Sequence, residues 1–215
     1  MPGTDAALLT AEEMLALYAR RALSPVEVLQ AVTERIARLN PTFNAFAMLN
    51  PRALEAAGAE VLVLCTNTMH QVADLIEAAT AVPFLHIADV TGRAVAAAGL
   101  ARPGLLGTRY TMERDFYRGR LERAHGLTVL IPDERDRALV HEVIFGELVR
   151  GVVSDVSRDR YREVIGRLRE RGADGIIAGC TEIELLVGPD DAGLPYFPTT
   201  RLHALAAVDV ALAAS

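Results

Sequence analysis

The stretch Gly172-Ala173-Asp174-Gly175-Ile176-Ile177-Ala178-Gly179-Cys180-Thr181-Glu182 sets the fold class. Gly-Ala-Asp closes a helix. Gly175-Ile176-Ile177-Ala178 is a short, unbroken apolar run of the kind that lies buried on both faces of a parallel sheet. Gly179-Cys180-Thr181-Glu182 then places small and polar groups where the strand stops and the next helix starts. A fainter copy stands upstream, with Gly58-Ala59-Glu60 ahead of Val61-Leu62-Val63-Leu64 and Cys65-Thr66. Any αβ unit can look like this. The repeat also fits two related halves, each presenting polar groups at the C-terminal edge of a sheet, where open parallel sheets bind ligands.

The same grammar extends outward. The apolar spacing predicts helices over 71–79, from 87 to about 99, over 113–121, 134–148 and 157–171, and from 201 onward. In the 157–171 helix Tyr161, Val164, Ile165 and Leu168 face inward. Strands are predicted at 61–64, 83–86, 105–108, 127–130 and 175–178. Strands alternating with helices of this length specify a parallel α/β sheet. The head of the chain reads differently. Thr10-Ala11-Glu12-Glu13 opens one helix, and Ser24-Pro25-Val26-Glu27 is a capping box with proline at the first helical position. The helix it opens carries Val28, Leu29, Val32, Ile36 and Leu39, and Asn40-Pro41 stops it.

Composition narrows the function. Half of the 215 residues are apolar (51%) and 23% are charged, which suits a packed core. A net charge of −6 excludes nucleic acid and anionic membrane surfaces as partners, because both need a basic face. No run reaches the length of a membrane-spanning helix. The N-terminus carries no secretory pattern, so the expected location is the cytoplasm. There the 2 cysteines are expected as thiols, and without Cys-x-x-Cys spacing they make a poor zinc site. The 22 basic residues are all arginine. Without lysine the chain has no Schiff-base anchor for pyridoxal phosphate or for a carbonyl substrate.

Two segments can carry chemistry. Cys180, at a strand tip before a helix, is expected to have a lowered pKa from the helix N-terminal amides. Thr181 and the amides beside it can hold a carboxylate. The plainer alternative is a buried structural cysteine. Upstream, Thr66, Asn67 and Thr68 suit an amino-acid head group, although Thr66 or Asn67 can equally be an ordinary helix cap.

Four segments resemble the aspartate/glutamate racemases in order and spacing: Val63-Leu64-Cys65-Thr66-Asn67-Thr68-Met69-His70, Pro83-Phe84-Leu85-His86-Ile87-Ala88-Asp89, Leu105-Leu106-Gly107-Thr108-Arg109-Tyr110-Thr111-Met112 and Gly179-Cys180-Thr181-Glu182-Ile183. The resemblance runs from about residue 53 to residue 215. It implies two pseudo-symmetric α/β domains and a two-base exchange of the substrate's α-proton, with neither metal nor pyridoxal, and usually a homodimer. Carried over by position, Cys180 is the catalytic thiol, with Thr181 and Glu182 beside it and Asn67 and Thr68 binding the substrate's head group. The family's other cysteine stands directly before Asn-Thr, where this chain has Thr66. Because successive strand residues face opposite ways, Thr66 is expected toward the cleft and Cys65 toward the core. A thiol facing an alcohol implies unequal rates for the two enantiomers. His70 and His86 are secondary candidates, with Asp89 to orient them. Arg150 is a candidate for the distal carboxylate, or else an exposed helix-end arginine.

The expected domains are a helical head (1–52), a first racemase domain (53–98 with 197–215) and a second (99–196). The fold class is α/β, as two small parallel-sheet domains with helices on both faces. The first domain is expected to be truncated, because the opening strand and glycine-rich substrate loop of the family have no counterpart. Leu17 to Val28, Arg35 to Pro41 and Asn44 to Phe46 resemble the start of the amidase-signature hydrolases, whose catalytic lysine a chain without lysine cannot supply. The expected function is an amino-acid racemase acting on glutamate or aspartate. The alternative is a racemase scaffold impaired in catalysis that serves as a binding or structural protein.

Overall fold

The computed structural model describes residues 6–24, 27–28, 30–32, 34–35, 38 and 58–213. The described residues fall into two units divided after Ala53.

In the first unit α1 (Ala11–Ala19) starts as expected. The Thr10 hydroxyl accepts from the Glu13 N–H, and the Glu13 carboxylate accepts from the Thr10 N–H at 2.8 Å. The second capping box also forms, with Ser24 N–H donating to Glu27 (2.7 Å) and Glu27 N–H to Ser24 Oγ (3.2 Å). Leu29, Ile36, Leu39 and the Asn40-Pro41 stop lie outside the described residues.

The second unit is α/β with two small parallel sheets. In one, β1 (Leu62–Val63) pairs with β2 (Phe84–Leu85) in register Leu62↔Phe84. In the other the order is β3 (Pro103–Gly107), β4 (Gly175–Gly179), β5 (Tyr196–Pro198). Between the strands run α2 (Ala73–Ala79), α3 (Ile87–Ala97), α4 (Arg109–Glu113), α5 (Asp115–His125), α6 (Glu134–Gly146), α7 (Asp155–Glu170), α8 (Ile183–Leu186) and α9 (Pro189–Ala192), and α10 (Thr199–Ala213) closes the unit. Every residue of β3 and β4 is buried, which explains their unbroken apolar sequence. α7 buries Tyr161, Val164, Ile165 and Leu168, the predicted face. The repeat noted in the sequence is visible in the backbone. Gly58 and Gly172 both take left-handed φ (71° and 90°) just ahead of β1 and β4. Asp174 then accepts from the Ala101 and Arg102 amides (2.8 and 2.9 Å), tying the entry of β4 to that of β3.

Four expectations change. Residues 127–130 do not form a strand; only an isolated bridge, Leu130 to Gly104, extends the sheet beyond β3. The helix predicted over 113–121 is broken at Arg114, whose ψ of 152° is extended and whose guanidinium lies 4.9 Å over the Tyr110 ring. The helix predicted from residue 71 opens instead as a 3-10 turn, Thr68–Val72. β5 was not expected as a strand at all.

β3 and β4 end as a facing glycine pair, Gly107↔Gly179. A Cβ on Gly179 would sit 2.9 Å from the Leu106 carbonyl oxygen, where backbone cannot yield. Gly179→Ala is expected to lower the unfolding free energy by about 1–3 kcal/mol, read as a fall in urea midpoint at constant m. An unchanged midpoint contradicts this account of the strand ends.

Candidate functional site

The strand ends bring two turns together. After β1, residues 64–66 leave the strand in a tight turn, with Thr66 N–H donating to the Leu64 carbonyl at 2.8 Å. Strand alternation therefore stops at Val63. Cys65 is exposed rather than directed to the core, which corrects the expectation for that residue. Cys65 and Thr66 both line a cavity of about 100 Å3, together with Asn67, Thr181, Thr200 and His203.

Asn67 is buried, and its Nδ2–H donates to Thr199 Oγ1 at 2.9 Å. The Thr199 hydroxyl in turn donates to the Ala178 carbonyl at 2.7 Å, in β4. Asn67 Oδ1 is buried without a hydrogen-bond partner. Thr68 joins a hydroxyl triad with Thr108 (3.0 Å) and Thr111 (3.3 Å) at the C-terminal end of β3. Sequence reasoning missed Thr108, Thr111 and Thr199. The Thr108-x-x-Thr111 spacing and a threonine directly after β5 were the available signals.

Cys180 follows β4 and is 8% exposed. Its thiol donates to Glu182 Oε2 at 2.9 Å. The expected lowering of its pKa is reversed. Burial pushes it up to about 12, the Glu182 hydrogen bond and charge add to that, and the Thr181 and Glu182 amides pull the other way without prevailing. At rest Cys180 is therefore a protonated thiol.

His70 and His86 pack ring to ring at 4.4 Å and lie beneath the first turn. The Nδ1–H of His70 donates to the Thr66 carbonyl (2.7 Å), and its Nε2 accepts from the Ile87 N–H (3.2 Å). His86 caps α3, its Nδ1 accepting from the Ala88 N–H at 3.1 Å. Burial drops His70 to about 4. It drops His86 to about 3, with the neighbouring charges of His70 and Arg120 adding. Asp89 makes no hydrogen bond to either ring. Burial opposes its charge, but Arg120, bonded through Nε and Nη2 at 2.8 and 2.7 Å, and His125 hold its carboxyl at about 2. Arg150 is exposed, does not line the cavity beside Thr66, and ends the 3-10 turn Leu148–Arg150. Among the described residues no cluster of side chains is arranged to hold a metal, and no helix is long and apolar enough to cross a membrane.

The family model of the Asp/Glu/Hydantoin racemases matches residues 6–207. The chain belongs to this racemase family. It is an isomerase, an amino-acid racemase. The match begins at residue 6 and so takes in most of the helical head. The chain is 46% identical to a Yersinia pestis protein described as an Asp/Glu racemase, covering 95% of this chain and 81% of that one, with a TM-score of 0.74. It is 31% identical to an aspartate racemase homologue from Pyrococcus horikoshii OT3, covering 74% and 70%, with a TM-score of 0.67. The glutamate racemase of Francisella tularensis, solved with D-glutamate, shares the fold at 15% identity over 74% of this racemase and 59% of its own chain, with a TM-score of 0.54.

Two outcomes follow from the racemase's titrating groups. His70 and His86 are neutral when folded, and their folded pKa values lie below the ordinary 6.5. Their contribution is complete above pH 6.5 and is lost as pH falls toward 4, because the unfolded chain takes up the protons. The urea midpoint is expected to drop between pH 6.5 and 4, and less steeply in His86→Asn, which keeps a helix cap without the titration. A midpoint flat over that range contradicts the assignment. Removing the carboxylate beside Cys180 in Glu182→Gln is expected to lower the thiol pKa and speed its alkylation by iodoacetamide, about tenfold per unit of pKa. Slower or unchanged alkylation contradicts it.

Proposed function

We propose that this racemase interconverts the enantiomers of glutamate or aspartate by two-base α-proton transfer, with no metal and no pyridoxal. Cys180 is its principal acid–base group and Thr66 works from the opposite face. The observation that carries the reading is the Cys180 thiol donating to Glu182 at the C-terminal end of β4. A thiol cannot abstract a proton until it ionises, and a carboxylate within hydrogen-bond reach gives its proton somewhere to go. The thiolate then takes the α-proton and becomes a thiol again, and the carbanion is protonated from the other face by the Thr66 hydroxyl or a water it holds; Glu182 returns its proton to solvent and solvent reprotonates the Thr66 side, which resets both groups. Asn67 supports the reading, since its buried and unpartnered Oδ1 can accept from the substrate's ammonium. Thr68 and Thr181 supply hydroxyls and amides for the carboxylate. The lack of lysine leaves pyridoxal phosphate no attachment point.

An alcohol is a far poorer base than a thiol. A racemase has an equilibrium constant of one, so kcat/KM is the same in both directions, and the asymmetry lies in α-proton exchange. In D2O, deuterium is expected to enter the enantiomer facing Cys180 about 10²-fold faster than the other. Cys180→Ala is expected to lose both exchange and racemisation. Equal exchange rates, or an active Cys180→Ala, overturn the mechanism. If glutamate fails to protect Cys180 from alkylation, the scaffold reading takes its place. The reading includes a homodimer, favoured by the exposed Phe145, Val149, Val152, Val153 and Val156, and sedimentation of the full chain measures it.

A further inference from the structure

A cavity of about 490 Å3 in the second unit is separate from the one beside Thr66. It opens among α2, α3 and α5. Its lining carries three arginines, three aspartates and three histidines, and most of these charges satisfy each other. Arg120 and His125 hold both oxygens of Asp89. Arg123 holds Asp115 at 2.7 Å.

Three groups are left over. Among the described residues Arg93 on α3 and Asp74 on α2 make no ion pair, and both line the cavity. The third is the second nitrogen of His86. Its Nδ1 accepts from the Ala88 amide, so the neutral ring carries its proton on Nε2. That N–H has no acceptor among the described residues, although His86 is only 3% exposed and lines the cavity. Lining the cavity, that N–H is a donor that a ligand acceptor can reach.

Two exposed groups of opposite charge, Arg93 and Asp74, and one donor in the cavity wall match the charges of a zwitterion. We propose that this cavity is a second amino-acid site, separate from the reaction cavity, which holds the ligand's carboxylate on Arg93 and His86 Nε2–H and its ammonium on Asp74. Arg93 supplies a two-pronged donor that fits a carboxylate. The site has a physical link to the first. His70 lines this cavity, and its Nδ1–H holds the Thr66 carbonyl at 2.7 Å, so an occupant lies one side chain away from the turn that carries Thr66.

The racemase has 5 histidines, and their imidazole signals report on separate places. His70, His86 and His125 line the second site, His203 the cavity beside Thr66, and His141 neither. In 1H–15N spectra of the full chain, L-alanine and L-glutamate, titrated to about 50 mM, are expected to shift His86 and His125. Propionate, which lacks the ammonium, is expected to need about tenfold higher concentration. Arg93→Gln is expected to abolish the His86 and His125 shifts while His203 still responds to L-glutamate and racemisation continues. Asp74→Asn is expected to erase the preference for alanine over propionate. Shifts confined to His203, or His86 shifts that survive in Arg93→Gln, overturn the proposal. Because the readout is binding at His86 and His125, inactivity of Cys180 leaves it intact.

Discussion

The hydroxyl of Thr199 is the point on which the arrangement of the cavity beside Thr66 depends. It is fully buried, donates to Ala178 at the end of β4 and accepts from the Asn67 amide in the turn after β1. The two small sheets share no strand, so their C-terminal edges need a connector, and this hydroxyl joins them. It can do so because β5 runs directly into α10 and places Thr199 at the joint. His203, one turn further along α10, repeats the connection by donating from Nε2 to the Leu85 carbonyl at 2.7 Å. The first sheet is thus held at the end of β1 by Thr199 and at the end of β2 by His203.

Within that frame, the environment of Cys180 is set by competition among known effects. Helix N-terminal amides favour the thiolate, as the residue's place in the sequence suggests. Burial and a carboxylate two residues on favour the thiol, and they are larger. At pH 7 a group titrating near 12 is ionised on the order of 10⁻⁵ of the time. The resting racemase therefore carries its proton on sulfur. The imidazoles of His70 and His86 contribute no charge near neutrality. Their tautomers are fixed by backbone partners, so they act as struts beneath the Thr66 turn rather than as acids.

What the sequence disclosed follows from what local chemistry can encode. β3 and β4 were legible because strands buried on both faces must be apolar throughout. The inward face of α7 was legible because helical spacing records it. Tyr196-Phe197-Pro198 escaped because three residues ending in proline look like a turn, and only the edge of β4 makes them a strand. Cys180 could be placed at a strand tip, but not given its acidity, because that depends on where the Glu182 side chain points. The expectation that Cys65 faces the core failed for a simple geometrical reason. Alternation of faces holds only within a strand, and Cys65 lies two residues past the end of β1. The partners of Thr68 lie 40 and 43 positions away, beyond the reach of any local pattern.

The distances along the chain between paired groups have a consequence for biosynthesis. Asn67 and Thr199 are separated by 132 positions, and His203 and Leu85 by 118. A ribosome delivers the chain from its N-terminus at a few residues per second, and segments order as they emerge. β1, β2 and their turns leave the exit tunnel long before α10 exists. Throughout that interval the Asn67 amide and the Leu85 carbonyl have no native partner, and the apolar edge of the first sheet lacks its closing helix. The contacts that tie the two sheets together thus form only once α10 has been made.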